Sequence, residues 1–410
     1  MKKISSFIAA LSLVSLMSTA QVKPGVEVLR DNGFAQLQGK RVGLITNPTG
    51  IDNNYKSTVD ILHEAPGVKL TALFAPEHGV RGDVHAGDHV DNMVDPATGV
   101  TVYSIFGKTY KPTPEMLKDV DVLVYDIQDI GCRSYTFISS MGEAMDACAE
   151  LGKEFMVLDR PNPVGGNKVE GNFVEKASVS FVSRFPIPYL YGLTPGELAM
   201  YLNEEGLLDS GKKVNLTVIP MEGWTRDMPY AETGMPWVLP SPHIPNPEIG
   251  IYYPVTGILG ELYCVSIGVG YTLPFKTVAA PWIDGQKLAD RLNALKLPGI
   301  HFRAITYKPF YSTFKGENVA GVEICITDKD AAPLALTQFY IMQELIDMYP
   351  DKNPFEICDK KRYTTFDKVT GSSEIRKRFC KNNKVEDMFD YWTKDDAKFK
   401  MKKARYHLYK

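Results

Sequence analysis

An acid and an imidazole stand side by side at Glu77-His78, with Pro76 before them and Gly79 after. The apolar run Val68-Lys69-Leu70-Thr71-Ala72-Leu73 leads into them through Phe74-Ala75. That run reads as a buried strand, and the Pro and Gly make the turn that ends it. Open α/β sheets carry their chemistry at the carboxyl ends of strands, so the turn would fix both proton-exchanging groups over a sheet edge. Glu77 is the first choice for a catalytic acid. Two further polar clusters follow strand-like runs in the same way: Asp126-Ile127-Gln128-Asp129 after residues 120–125, and Asp159-Arg160-Pro161-Asn162-Pro163 after residues 155–158. In a parallel sheet all three clusters emerge at one edge and form a cleft.

These residue types suit glycoside hydrolysis. That reaction needs a carboxylic acid to protonate the leaving oxygen and usually a second carboxylate as base or nucleophile. The partner of Glu77 would be Asp126, Asp129, Asp159 or Glu261. His78 either takes part in proton transfer or orients the acid. Arg226 offers a planar fork for a substrate carboxylate. The stretch 221–254 carries Trp224, Tyr230, Trp237, Tyr252 and Tyr253 among prolines; such rings either stack on sugar faces or seal a domain junction. A metal site is the rival reading, on the run His78, Asp83, His85, Asp88, His89. It is disfavoured because the run is Gly-containing and lacks the His-Glu-x-x-His arrangement that a rigid helix would present. No G-x-S-x-G elbow supports a serine hydrolase.

The elements that must hold these groups alternate between residues 40 and 165. Strands are expected at 40–46, 68–74, 120–125 and 155–158. A short helix opens at Thr58, and a longer one runs from Tyr135 to Leu151 with Gly152 as its cap. This βαβ rhythm predicts an α/β fold: a Rossmann-like, mostly parallel sheet with a second, smaller α/β domain. Ile45-Thr46-Asn47-Pro48-Thr49-Gly50 stands where a dinucleotide fingerprint would lie, and no P-loop lysine motif occurs. No nucleotide or other cofactor is therefore expected. Thr194-Pro195-Gly196-Glu197 has the pattern of a helix start, with a Thr cap, Pro at the first position and Glu at the third. A strand at 214–219 follows, then a Pro- and Gly-rich stretch to residue 254 with no long periodic element. Helices are expected at 284–295 and 333–349, and strands at 299–305 and 319–327. The domain division is placed near residue 190, giving 21–190 and 191–410.

Residues 1–20 read as a secretory signal, with Lys2-Lys3 ahead of an apolar run and small residues at Ser18-Thr19-Ala20. The run is shorter than the ~20 residues that span a bilayer, so the mature chain is expected to be exported, periplasmic or secreted, with no integral membrane segment. Its loss takes the net charge from −3 to −5, which argues against nucleic acid or anionic lipid as partners. The basic run from Lys398 to Arg405 reads as a solvated terminal helix. The six Cys residues form no C-x-x-C; Cys358 and Cys380 are candidates for a disulfide in an exported protein.

Taken in order, the motifs resemble the DUF1343 family, the exo-β-N-acetylmuramidases of the NamZ type. The resemblance rests on Phe74 to Gly79 with Arg81-Gly82, Asp126 to Gly131, Leu158 to Pro163 with Gly165-Gly166, Gly192 to Glu197, Met221 to Arg226, and Pro240-Ser241-Pro242 with Pro245. It implies a glycosidase that releases terminal N-acetylmuramic acid from peptidoglycan-derived saccharides, with its site in the cleft between the two domains and Glu77 as the catalytic glutamate. The candidate catalytic set is Glu77, His78, Asp126 and Asp129. The candidate substrate-binding set is Arg81, Arg133, Asp159, Arg160, Asn162, Trp224, Arg226, Ser241 and Glu261. Where the family has Glu-Gly-Thr-Asn and then Ser-x-Gly-Arg-Gly-Thr, this chain has Glu261-Leu262-Tyr263-Cys264 and Ser266-Ile267-Gly268-Val269-Gly270-Tyr271. That departure implies an altered sugar pocket. The alternative reading is a glycan-binding relative with little turnover.

Overall fold

The computed structural model describes residues 21–81 and 93–410. The signal-like segment and the run holding Asp83, His85, Asp88 and His89 lie outside the described residues.

The first layer is a seven-stranded sheet of β1 (Arg41–Thr46), β2 (Lys69–Ala75), β3 (Met93–Val94), β4 (Thr101–Ser104), β5 (Val122–Asp126), β6 (Glu154–Leu158) and β7 (Asn215–Ile219), in the order β3-β4-β2-β1-β5-β6-β7. Every pairing is parallel except that of the edge strand β3 with β4. Side chains alternate between the two faces of a strand, and each face has its own core. Val122 and Val124 join the helices α1 (Gly25–Asp31) and α2 (Thr58–Glu64) on one side. Leu123 and Tyr125 join α3 (Phe137–Leu151) and α4 (Pro195–Glu204) on the other. With both faces covered, β5 is buried along its whole length, as its unbroken apolar run predicts. The helix ends also follow the sequence. Gly152 caps α3 at φ 64°. Thr194 Oγ1 accepts from the Glu197 amide at 3.2 Å, and the Glu197 carboxylate accepts from the Thr194 amide at 3.1 Å.

The expected division near residue 190 cuts through this layer, because β7 pairs with β6 along Asn215–Ile219. We place the division instead after β7 and before α5 (Pro247–Gly260). The second layer is a three-stranded antiparallel sheet, β8 (Thr277–Ala280), β9 (Ile300–Tyr307) and β10 (Val319–Ile326), with β10 in the middle. Helix α6 (Gly285–Ala294) packs on it, α7 (Thr337–Met348) packs on α6 and on α5, and α8 (Pro354–Ile357), α9 (Arg362–Thr370), α10 (Ser373–Asn382), α11 (Glu386–Thr393) and α12 (Asp396–Lys403) complete the chain.

Helix α5 begins inside the stretch where no periodic element was expected. Its Gly, Pro and aromatic content gives poor helix propensity, and Pro254 sits in its interior. Tertiary contacts decide the outcome. Asn246 caps the start by accepting from the Ile249 amide at 3.1 Å. Buried Gln338 of α7 donates to the Pro254 carbonyl and accepts from the Leu259 amide, both at 2.8 Å.

The basic C-terminal run is not a solvated face throughout. Lys403 is buried, and its Nζ donates to the carbonyls of Gly166 and Gly192, both at 2.7 Å. Burial pushes its pKa down to about 7 from 10.5, with Arg226 adding to the effect and Glu197 opposing it. Between those values the unfolded chain holds a proton that the folded chain has released, so stability rises with pH across that window. The unfolding free energy of the native chain is expected to climb ~1.4 kcal/mol per pH unit more steeply than that of Lys403→Met in the middle of the window. Urea titrations at several pH values measure this; parallel profiles for the two proteins would contradict it. Cys358 and Cys380 carry free thiols, so the disulfide considered for them is not formed. Among the described residues no helix is long and apolar enough to cross a membrane.

Candidate active site

Two adjoining cavities, of about 420 Å³ and about 230 Å³, lie between the carboxyl end of β2 and the second layer. Glu77, His243, Tyr253 and Phe275 line both. The larger falls in the ~300–1,000 Å³ range of small-molecule sites. Glu77 is placed by the turn that ends β2, closed by the Gly79 amide donating to the Pro76 carbonyl at 3.1 Å. The third residue of that turn is His78, at φ 74°. A type II turn puts its third residue there, where glycine is normal. Holding a histidine in this region costs about 1–2 kcal/mol, and such strain collects at functional sites. His78 is buried, and its Nδ1 has no partner among the described residues.

Thr136, at the start of α3, donates to Glu77 Oε2 at 3.0 Å. Glu261, which caps the C-terminus of α5, is the other carboxylate on the larger cavity. Burial pushes its pKa up, against the pull of the Arg362 guanidinium. His243 Nε2 and the Tyr311 hydroxyl share a hydrogen bond at 3.0 Å. Burial, reinforced by nearby His78, holds His243 below its ordinary value, so it is neutral at pH 7. Ser241, Ser134 and Tyr135 line the smaller cavity with His78, and the hydroxyls of Ser134 and Tyr253 lie 3.2 Å apart.

The structure brings Glu77, His78, Ser241 and Glu261 to this cleft and leaves the remaining candidates out of it. Asp126 is consumed in a buried ion pair. Arg160 donates to it through Nε at 2.5 Å and Nη2 at 3.0 Å, and Thr58 Oγ1 adds a third bond at 2.5 Å. This pair sits at the end of β5, next to β1, where the strand order reverses direction. Doubly wound sheets take ligands in that crevice; here the protein's own Asp126–Arg160 pair occupies it. Asp129 accepts from the Gly131 amide at 2.7 Å and from the Tyr191 hydroxyl, and burial pushes its pKa up to about 6. Asp159 holds the start of α4, accepting from Thr194 Oγ1 at 2.7 Å and the Gly196 amide at 2.8 Å, and its pKa too is pushed up to about 6 by burial. Asn162 bridges the Val164 amide and the Leu193 carbonyl, both at 3.0 Å.

The arginines offered for substrate are likewise committed elsewhere. Arg133 is wholly buried and donates to the carbonyls of Asn172, Ile187 and Val369; burial pushes its pKa down to about 10. Arg226 pairs with Glu197 at 2.5 Å and donates to the Gly166 and Gly192 carbonyls. Arg81 binds Asp95 and Asp60 and lines neither cavity. Trp224 is a core residue, edge-on to Tyr409 at 5.0 Å between ring centroids.

Sequence reasoning missed Thr136, His243, Ser266, Ser312 and Thr313 as cleft residues. His243 directly follows the Pro240-Ser241-Pro242 motif and was within reach. Ser266 stands in the departing segment already tied to the sugar pocket, Thr136 starts α3, and Ser312 and Thr313 carry no local signal. The departing segment does line the larger cavity, through Glu261, Tyr263, Val265, Ser266, Ile267 and Val269, whereas Cys264 is buried and lines neither.

Comparison with known proteins divides the chain in two. Residues 42–248 match the N-terminal model of exo-beta-N-acetylmuramidase NamZ, and residues 251–409 match its C-terminal model. The chain is 44% identical over 389 residues to the peptidoglycan beta-N-acetylmuramidase NamZ of Bacillus subtilis (strain 168), covering 95% of this chain and 92% of that one. Two crystal structures of DUF1343 family proteins from Bacteroides fragilis are similar in fold. One is 58% identical with a TM-score of 0.92, the other 29% identical with a TM-score of 0.72. Each match covers 95% of this chain and 99% of the other.

Proposed function

The chain belongs to the exo-beta-N-acetylmuramidase NamZ family, and on that premise we propose that it removes terminal N-acetylmuramic acid from peptidoglycan fragments, with Glu77 protonating the departing oxygen. It is an exo-acting glycosidase. The observation that carries the assignment of Glu77 is its place where the two cavities meet. A terminal sugar in the larger cavity and the next residue in the smaller one are joined by an oxygen that passes this carboxyl group. Proton delivery there lets the bond to the anomeric carbon break. Glu261, on the larger cavity, supplies the second carboxylate that the oxocarbenium-like transition state needs. Thr136 orients Glu77 through its hydroxyl. Neutral His243 and the Ser241 hydroxyl offer hydrogen bonds to the sugar edges, and Tyr253 and Phe275 offer ring faces. The basic and apolar start of the chain supports export, which places the enzyme with its polymer.

The test is a glycan chain that ends in N-acetylmuramic acid at its non-reducing end, followed by chromatography of the products. One N-acetylmuramic acid per chain end is expected, with no further shortening once N-acetylglucosamine is terminal. Internal fragments, or no release by a folded protein, would overturn the reading.

A further inference from the structure

We propose that Arg362 binds the carboxylate of the substrate's lactyl ether, mounted for that purpose on Tyr263 at the wall of the larger cavity. The inference rests on the reading that the substrate is an N-acetylmuramic acid, a sugar that carries a carboxylate.

The cavity itself is unsuited to an anion. Its acidic side chains are Glu77 and Glu261 and none of its lining residues is a Lys or Arg, so a substrate carboxylate entering it finds no cationic partner. A cation is needed at its edge. Arg362, the first residue of α9, lies with its guanidinium carbon 3.9 Å from the centroid of the Tyr263 ring, and Tyr263 is a lining residue. The contact is a close cation–π pair. Arg362 Nη1 lies 4.0 Å from Glu261 Oε2, too far for a hydrogen bond. Among the described residues its guanidinium makes no hydrogen bond, and its side chain is 35% exposed. Arg362 itself lines neither cavity, but it is held behind the lining Tyr263 with its donors unused. Stacking covers one face of the guanidinium and leaves its in-plane N–H edge, the edge that binds carboxylates in a bidentate manner.

Tyr263 is itself unusual. It sits beyond the end of α5 at φ 53°, in the left-handed region, with 56% of its surface exposed. A strained, exposed aromatic residue contributes little to the core. Its use is the platform it gives to Arg362. The other explanation for Arg362 is that it only tunes Glu261. Tuning would change the hydrolysis of every substrate equally, whereas anion binding acts only on substrates with the carboxylate.

The experiment uses the full mature chain and two ligands, free N-acetylmuramic acid and its lactyl carboxamide, with calorimetric binding as the first readout. The kcat/KM ratio for the matching chromogenic glycosides is the second. The native protein is expected to favour the acid, and Arg362→Gln to lose about 10- to 100-fold of that acid-to-amide preference, in binding as in kcat/KM. Tyr263→Phe should keep the native ratio, and Tyr263→Ala should lower it. An unchanged acid-to-amide binding ratio in Arg362→Gln, or an equal fall for both ligands, would overturn the proposal. A native protein that binds the acid preferentially but hydrolyses neither glycoside would overturn the glycosidase reading and leave the anion site standing.

Discussion

Glu77→Gln is expected to lower kcat on an unactivated glycoside by about 10²–10⁴-fold, the usual worth of a positioned general acid, and to leave the folded state intact. The amide has the shape of the acid, and the Thr136 hydroxyl that donates to Glu77 Oε2 at 3.0 Å can donate equally to an amide oxygen. What the variant lacks is the proton. A leaving group that departs as a stable anion needs no proton, so the deficit should shrink sharply on a dinitrophenyl glycoside. Loss on the poor leaving group with recovery on the good one is the signature of an acid. A uniform loss on both would point to a role in positioning. Near-native turnover on the unactivated glycoside would remove Glu77 from the chemistry.

Asp126→Ala is expected to have the opposite profile. Removing one member of a buried ion pair leaves the other charged and uncompensated, which destabilises by about 3–5 kcal/mol. Here Arg160 would lose its bonds at 2.5 and 3.0 Å while keeping only the Ile51 carbonyl at 2.7 Å. Thr58 Oγ1 would lose its acceptor as well. Urea denaturation should record the full loss. The kcat of the fraction that remains folded should stay within a few-fold of native, because Asp126 lines neither cavity. Glu261→Gln should show the reverse, with stability retained and turnover lost. An Asp126 variant that stays stable yet inactive would mean that the second carboxylate has been misplaced.

The same comparison marks where the sequence stops being sufficient. Strand and helix positions are largely local properties, and many were legible, although β3, β4, β8, α1 and α8 to α11 carried no expectation. The unbroken apolar run of β5, the capping box at Thr194 to Glu197 and the Gly152 cap each depend on residues a few positions apart. So does the turn that puts Glu77 at the end of β2. Helix α5 was not legible, because its Gly, Pro and aromatic content argues against a helix and the contacts that hold it, such as Gln338 to Pro254 and Leu259, come from far along the chain.

The site was legible in Glu77, His78, Ser241 and Glu261, but not in which of the candidate acids would be left for chemistry. Asp126, Asp129, Asp159 and Glu77 follow strands in the same manner, and nothing local distinguishes them. Each becomes structural or available according to the donors that distant segments bring to it. Asp126 meets Arg160, 34 residues on, and Asp159 meets the Tyr409 hydroxyl, 250 residues on. Glu77 meets one threonine hydroxyl and two cavities. A buried carboxylate surrounded by donors has no lone pairs left for a substrate, and one at a cavity wall does. The residue types and the strand ends were therefore set by sequence alone, while the division between scaffold and chemistry was decided by long-range pairing in the folded chain.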